Sequence, residues 1–457
     1  MRKAQILALT LAVVFAVSAA AQQSESNLFS LDDCVKLALK NNPTLRNARR
    51  NVNLAETNVV TARSGILPRL NSSFSFGKYI SGPRVRLMDV PVGIDPITRA
   101  IKYEQREIVQ ASVERNSYGA RLSLTQTIFD FGQSWFRISQ ARANAVAAED
   151  EYRNTEQSVI LDVRQKYFEL LKAEKLVDVY QKAVEAAQRQ LERTEAMYKL
   201  GSVAQADVYK ARVNLGQSKI NLINQKNLVE ISKANLNAVL GRDPTEPIEI
   251  MDFVPKETAP PYSFEEAARI ALENNPELRS LENKVQATRV GVRIAKTNFM
   301  PSLGLSVSYN RDNEFFDKVF TTKLQNDYNV VMGLSLSFNL FNGLADKADL
   351  DRQYTNYRIA EENLENRKRT LLAEVKRAYI NLQAYEEIAQ INKENLKSAE
   401  EDLRLAEERY KLGSGTLLEV IDAQVALTRA RATYVSSMYD ALIARTQLEA
   451  AMGRLGR

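Results

Sequence analysis

Along residues 133–200 and 344–412 the apolar positions return every three or four residues. Ile160, Val163, Tyr167 and Leu170 step by 3, 4 and 3, and Ala187, Leu191, Thr194 and Tyr198 by 4, 3 and 4. Leu372, Val375, Tyr379 and Leu382, then Ala399, Leu403, Ala406 and Tyr410, repeat the two runs. That spacing makes a coiled-coil seam. Neither stretch holds a proline or glycine, so each is predicted to be one long helix of about 100 Å. Gly201 and Gly413 end these helices as C-terminal caps. The chain then returns through 203–240 and 415–452, each about 57 Å if helical. Segments 43–64 and 276–298 begin with Pro43 and Pro276, which suit a first helical turn. Stacked end to end on the return helices, they supply the missing length.

A second pattern has period two. Met332, Leu334, Leu336, Phe338 and Leu340 alternate with Gly333, Ser335, Ser337 and Asn339; Leu303, Leu305, Val307 and Tyr309 alternate with Gly304, Ser306, Ser308 and Asn310. Phe74 and Phe76 alternate with serines, and Leu122, Leu124 and Ile128 with Ser123, Thr125 and Thr127. Strands are expected near 70–79, 119–129, 303–310 and 329–341, with hairpin loops at 80–117 and 311–327. Large apolar groups on one face and small polar ones on the other suit outer-membrane strands. Tyr79, Tyr118, Tyr309 and Tyr328 at one end, with Phe129, Phe131, Trp135 and Phe341 at the other, fit interfacial girdles. A half-buried sheet of a water-soluble domain is the plainer reading. Against it, each half of the chain offers only two strands.

The halves are copies. Leu39-Lys40-Asn41-Asn42-Pro43-Thr44-Leu45-Arg46 returns as Leu272-Glu273-Asn274-Asn275-Pro276-Glu277-Leu278-Arg279, 233 residues on. Tyr198-Lys199-Leu200-Gly201-Ser202 returns as Tyr410-Lys411-Leu412-Gly413-Ser414, 212 residues on, as does Gly241-Arg242 at Gly453-Arg454. Two repeats this long make one pseudo-symmetric body, unlike a solenoid of short units. The division expected is a first repeat at 22–241, a proline-rich linker at 242–262 and a second repeat at 263–457.

Composition narrows the chemistry. The 457 residues are 45% hydrophobic and contain no histidine and one cysteine. Histidine-based general bases, zinc sites and Ser-His-Asp arrangements are thereby excluded, as are disulfides. The net charge of +6 is spread thinly, with no Lys/Arg block to suggest nucleic-acid binding. No phosphate-binding loop or metal-ligand cluster is present, so no cofactor is expected. Asp32-Asp33 and Glu265-Glu266 are paired carboxylates, but adjacent residues point apart on a helix, and capping explains them. Arg2 and Lys3, the apolar run Ile6 to Val17 and Ala19-Ala20-Ala21 form a secretory signal peptide over 1–21. Cys34 follows Leu31-Asp32-Asp33, not the small residues of a lipidation site, and is expected on a buried helix face. After the signal no apolar run is long enough for a membrane-spanning helix.

Four strands cannot close a barrel, and an open edge in lipid is forbidden. Copies of the chain must complete it. Three copies give twelve strands, though the arithmetic alone permits other numbers.

The signal peptide, the duplicated Leu-x-x-Asn-Pro-x-Leu run (Leu39, Asn42, Pro43, Leu45), two strand hairpins and two long helical hairpins turning at Tyr-Lys-Leu-Gly-Ser together resemble the TolC family of outer-membrane efflux proteins. The resemblance covers nearly the whole mature chain. It implies a mainly α fold with β: a homotrimer with one shared 12-stranded barrel in the outer membrane of a Gram-negative bacterium. Antiparallel helical hairpins would form an α-barrel tunnel through the periplasm. It further implies passive conduction of exported solutes, including type I secretion, with a periplasmic adaptor and an inner-membrane pump as partners. In that family acidic residues ring the periplasmic aperture. The matching positions are Asp207, Glu419 and Asp422, which in three copies make cation-attracting rings. Asp207 and Glu419 also lie where acids stabilise a helix N-terminus. Tyr198 and Tyr410 match seam residues that keep the aperture closed. Leu200, Gly201 and Ser202, with Leu412, Gly413 and Ser414, match the tips gripped by adaptor hairpins, although helix termination alone explains the glycines. One departure stands out: Gly415 takes the place of the arginine that latches the second turn in the best-known member, so Arg409 or Lys411 is expected to supply the closing contact. The alternatives are a periplasmic adaptor, which usually carries one hairpin, and an exported structural coiled coil, which needs no strands. An enzyme has least support.

Overall fold

A computed structural model describes residues 28–253 and 262–455. The expected signal peptide and three of the linker prolines (Pro255, Pro260, Pro261) lie outside the described residues. In chain order the elements are β1 (Leu28–Phe29), α1 (Leu31–Asn41), α2 (Pro43–Arg63), β2 (Arg69–Ser81), β3 (Arg84–Ile94), β4 (Ile101–Gln110) and β5 (Val113–Phe129). Then come α3 (Gln133–Lys199), α4 (Gln205–Leu240), β6 (Glu249–Ile250), α5 (Phe264–Asn274), α6 (Pro276–Thr297) and β7 (Ser302–Asn313). The last are α7 (Phe316–Val319), β8 (Asn329–Ser337), α8 (Ala345–Lys411) and α9 (Leu417–Ala451). The two long helices have 67 residues each. No helix among the described residues is long and apolar enough to cross a membrane.

The compact units do not follow the repeats. One unit gathers the stretch through Leu54, Ala145–Lys284 and the stretch from Ala360; the other gathers Ala55–Asn144 and Val285–Ile359. Each unit therefore draws on both halves of the chain.

The first unit is helical. Ser30 caps α1, its hydroxyl accepting from the Asp33 amide at 3.2 Å while Asp33 reaches back to it, and the Ser263 hydroxyl accepts from the Glu266 amide to cap α5. Asn42 serves two helices at once. Its Oδ1 accepts from the Thr44 and Leu45 amides at 2.9 and 3.3 Å, which caps α2. Its Nδ2 donates to the Val239 carbonyl at 2.9 Å, which closes the end of α4. One side chain thus satisfies groups at both termini of the expected end-to-end junction. Gly241, at φ +72°, lets the chain pass so close to Asn41 that a Cβ would stand 2.7 Å from its carbonyl oxygen. Gly453 repeats this approach against Asn274. Beside the first junction a core cluster holds Cys34, Val163, Tyr167, Phe168, Leu170, Leu236 and Tyr439. The Tyr167 hydroxyl lies 2.7 Å from the Met251 carbonyl and so fastens the parallel β1–β6 pair to α3. Cys34 is fully buried in this core, as its helix face requires. A second cluster, around Ile270, Leu278, Leu371, Val375 and Leu448, repeats the arrangement.

The second unit carries an antiparallel sheet in the order β2-β5-β7-β8. Its register separates two chemistries. Leu70, Leu124, Val307 and Met332 form one row across all four strands; Arg69, Thr125, Ser306 and Gly333 form the next row, on the opposite face. The apolar face is bare: Phe74 is 69% exposed and Leu336 71%. The outer edges of β2 and β8 pair with no strand among the described residues.

Three expectations need correction here. Segment 80–117 is not a loop, for β3 and β4 pair from Arg84↔Gln110 to Ile94↔Ile101 as a separate hairpin. Its strands were masked by charged residues within the alternation. The last strand stops at Ser337, short of 341, because its partner β7 begins at Ser302, just after Pro301, which has no amide hydrogen to donate. The 311–327 connection is ordered too. The buried Arg311 donates to the Lys318 carbonyl at 2.8 Å, Phe316 of α7 meets the Tyr118 ring edge-on, and Phe320, just past α7, packs at a tilt on Phe74.

Candidate functional site

The two helical-hairpin turns, both in the first unit, end α3 and α8 by the same hydrogen-bond pattern. The Ser202 amide donates to Met197 O at 2.9 Å and the Gly201 amide to Tyr198 O at 2.9 Å, with Gly201 at φ +74°. At the second turn the Ser414 amide donates to Arg409 O at 3.0 Å and the Gly413 amide to Tyr410 O at 3.2 Å, with Gly413 at φ +77°. These are Schellman closures, which need a residue in the left-handed region and therefore favour glycine. Leu200 and Leu412 stand fully out in solvent at the two turns.

The turns differ one residue later. The Gly415 amide donates to Arg409 O at 3.1 Å, so the chain doubles back on the helix end. A Cβ at 415 would lie 3.1 Å from Arg409 Cβ and from the Tyr410 nitrogen. Position 415 cannot carry a long side chain without moving the turn. Across this turn Arg409 makes an ion pair, its Nη1 lying 3.3 Å from Glu419 Oε2. Lys411 makes no ion pair among the described residues. Glu419 also takes part in the N-cap of α9: its amide donates to Thr416 Oγ1 at 3.3 Å, and the Thr416 hydroxyl donates to its carboxylate at 3.3 Å.

Asp207 occupies the first turn of α4, half-buried, with Lys210 Nζ 3.5 Å away. Asp422 is exposed one turn beyond Glu419. The two seam tyrosines are not equivalent. Tyr410 is 8% exposed, with its hydroxyl 3.7 Å from Met197 Sδ and the Arg193 guanidinium 5.4 Å from its ring centre. Burial holds its hydroxyl above the usual tyrosine range; Arg193 opposes the shift and Asp207 adds to it. Tyr198 is 43% exposed. Arg193 and Met197 escaped the sequence reading because the five-residue identity of the tips draws attention away from what precedes it.

Compared with known proteins, residues 34–242 and 267–454 match the outer membrane efflux protein family. The chain belongs to that family. The outer membrane protein TolC of Escherichia coli is 24% identical to it over 454 residues, spanning 97% of this chain and 86% of that protein. A crystal structure of CusC superposes with a TM-score of 0.78 at 19% identity, covering 93% of this chain and 92% of that one. The Campylobacter jejuni CmeC outer membrane channel gives 0.77 at 20% identity, covering 94% and 86%. These structures establish the fold, and the family match establishes an outer-membrane export channel of the TolC type. This is a transport family and not an enzyme family, and the adaptor and plain coiled-coil readings are not favoured.

Proposed function

We propose that three copies of this efflux-family chain close one twelve-stranded barrel in the outer membrane and line one helical tunnel through the periplasm. A periplasmic adaptor and an inner-membrane pump deliver the solute, and the pump supplies the energy. The observation that carries this reading is the sheet itself. It is four strands wide, it has bare edges at β2 and β8, and its apolar face is exposed. In hydrocarbon such edges must be paired, and the strands of other copies can pair them. The two family matches, 34–242 and 267–454, support dividing the chain into the two repeats read from its sequence.

The aperture lies at the hairpin turns. Asp207, Glu419 and Asp422 form carboxylate rings that attract cations to the constriction. Tyr198 and Tyr410 pack the seam that holds it closed. Leu200-Gly201-Ser202 and Leu412-Gly413-Ser414 present an apolar knob on a rigid turn, which suits the hairpin of an adaptor. The test is fractionation followed by mass measurement in mild detergent. An outer-membrane trimer that conducts ions in a planar bilayer is expected; a water-soluble periplasmic monomer would overturn the reading.

A further inference from the structure

The apolar face of the sheet can be followed outward row by row. Beyond Leu70, Leu124, Val307 and Met332 comes the row Ser72, Leu122, Tyr309 and Val330, and then the row Phe74, Ala120 and Arg311. The next holds Phe76, Tyr118 and Asn313. Side chains two residues apart on a strand share a face, so Tyr309, Arg311, Phe74 and Tyr118 all stand on the side read above as lipid-facing. Each of these four touches the connection between β7 and β8. The Tyr309 hydroxyl donates to the Leu324 carbonyl at 2.5 Å. Arg311 donates to the Lys318 and Thr321 carbonyls at 2.8 and 3.5 Å. The Phe316 ring centre lies 5.6 Å from that of Tyr118, and the Phe320 ring centre 5.6 Å from that of Phe74. The connection is therefore folded back over the apolar face and does not rise from the strand ends into water.

Arg311 gives the reason it stays there. An arginine on the lipid side of a strand is costly in hydrocarbon. This one is 2% exposed, with its guanidinium held beneath the Lys318 and Thr321 carbonyls, so the segment keeps the charge out of lipid. The outer side of the segment has another chemistry. Phe315, Phe316 and Leu324 are each more than half exposed, at 62%, 57% and 62%, and Lys318 and Lys323 stand exposed among them. These rings adjoin Phe74 and Phe76 of the sheet, which are themselves bare, so one apolar surface runs from the strands onto the segment. Large apolar side chains, mixed with lysines that can extend their ammonium groups towards phosphate, gather where hydrocarbon meets headgroups.

We propose that residues 315–324 form an interfacial anchor: they lie outside the barrel wall and insert Phe315, Phe316 and Leu324 into the outer leaflet of the membrane, at the level where acyl chains meet headgroups. This rests on the outer-membrane reading above and adds to it a lipid contact made by no strand. The two repeats then use their connections differently. Between β2 and β5 the chain builds the β3–β4 hairpin, whose turn is held by Asp95 Oδ1 accepting from the Ile97 and Thr98 amides at 2.8 and 3.0 Å, with Ile97 bare at the tip. Between β7 and β8 the chain lies down on lipid instead. There it fixes the depth of that strand pair in the membrane and places nothing over the mouth of the pore.

Depth-dependent fluorescence quenching tests the anchor. Trp135, the chain's one tryptophan, is replaced by Phe, and a single reporter is introduced as Phe315→Trp or, separately, as Leu324→Trp. The full chain is reconstituted into phosphatidylcholine vesicles whose acyl chains carry bromine either near the headgroup or near the chain end, with iodide added on both sides of the bilayer as the quencher in water. Either reporter is expected to lose intensity to the shallow bromines, to lose less to the deep ones and to resist iodide. Ile97→Trp, at the tip of the β3–β4 hairpin, is the control that iodide should quench and bromine should not. Quenching of the 315 and 324 reporters by iodide alone overturns the proposal, because the segment then lies in water. Resistance to iodide and to both bromolipids overturns it as well, because protein, such as a second copy of the chain, then covers the site. A chain that fails to float with the vesicles means that the outer-membrane reading itself has failed.

Discussion

Arg409 and Glu419 face each other across the second hairpin turn at 3.3 Å, joining the last turn of α8 to the first turn of α9. Both side chains are largely in water, so the pair contributes only about 0.5 kcal/mol to stability. Its effect is expected in conduction. Arg409→Gln leaves thermal unfolding almost unchanged and raises single-channel conductance at low salt, with the difference shrinking as salt screens the pair in the parent protein. Equal conductance of parent and variant at low salt would sink this assignment.

Replacing Asp207, Glu419 and Asp422 together by Ala removes the proposed carboxylate rings. Cation preference, measured as reversal potential across a salt gradient, is expected to fall, and block by divalent cations to weaken. Because the Glu419 carboxylate also accepts from the Thr416 hydroxyl at the α9 N-cap, Glu419→Gln is the cleaner single change. If preference and block both persist in the triple variant, the rings are misassigned.

Gly201 and Gly413 sit at positive φ, so Gly201→Ala or Gly413→Ala costs about 1 kcal/mol each in the turn. Gly415→Arg is the informative variant. Its Cβ would press on Arg409 Cβ and on the Tyr410 nitrogen at 3.1 Å. The expected result is a loosened tip with higher conductance. A tighter, less conductive channel would show that the turn yields and that arginine at 415 can latch it.

Arg311→Met leaves the Lys318 carbonyl without its charged donor, at a cost of about 2 kcal/mol to the 314–324 segment. Trypsin added to intact cells is then expected to cut after Lys318 or Lys323 faster than in the parent. Unchanged cleavage would mean that the packing of Phe316 and Phe320 suffices to hold the segment.

Burial pushes the Cys34 thiol up from its ordinary 9.0 to about 12, and the Tyr439 hydroxyl from 10.0 to about 12. Both groups ionise more readily in the unfolded chain. Their stabilising effect is complete below pH 9.0 and is lost as pH rises towards 12. Urea midpoints are expected to decline over that window. Cys34→Ala copies Ala267, its fully buried counterpart in the second repeat, and should flatten the part of the decline due to the thiol. A Cys34→Ala profile as steep as the parent's would contradict this.

Much of the fold was legible because its causes are local. Pro43 and Pro276 mark helix starts, Gly201 and Gly413 mark ends, and the seam spacing marks the long helices. The strand faces were read correctly where residues alternate cleanly, as from Leu303 to Asn310. The β3–β4 hairpin was missed, since Arg84, Arg86, Lys102, Glu104 and Arg106 give its strands a loop-like composition. Its alternating Val85 and Leu87 were the available signal.

The candidate site was legible by position and not by contact. Sequence placed Asp207, Glu419, Asp422 and both tyrosines near the turns, and it named Arg409 and Lys411 as alternatives for the closing contact. It could not say which of them would pair across the turn, because that depends on where Gly415 folds the backbone against the helix end. Nor could it separate Tyr198 from Tyr410. Identical pentapeptides have identical propensities, and only the packing of Met197 and Arg193 onto one of them makes one buried and the other exposed.

Periodicity, caps and duplication are written into the chain order, since each depends on residues a few positions apart or on a direct copy. The double capping by Asn42 and the unequal burial of Tyr198 and Tyr410 arose only in three dimensions. They depend on groups far apart in sequence, such as Asn42 with Val239 and Tyr410 with Met197, whose meeting is set by how helices and strands pack and by no local preference.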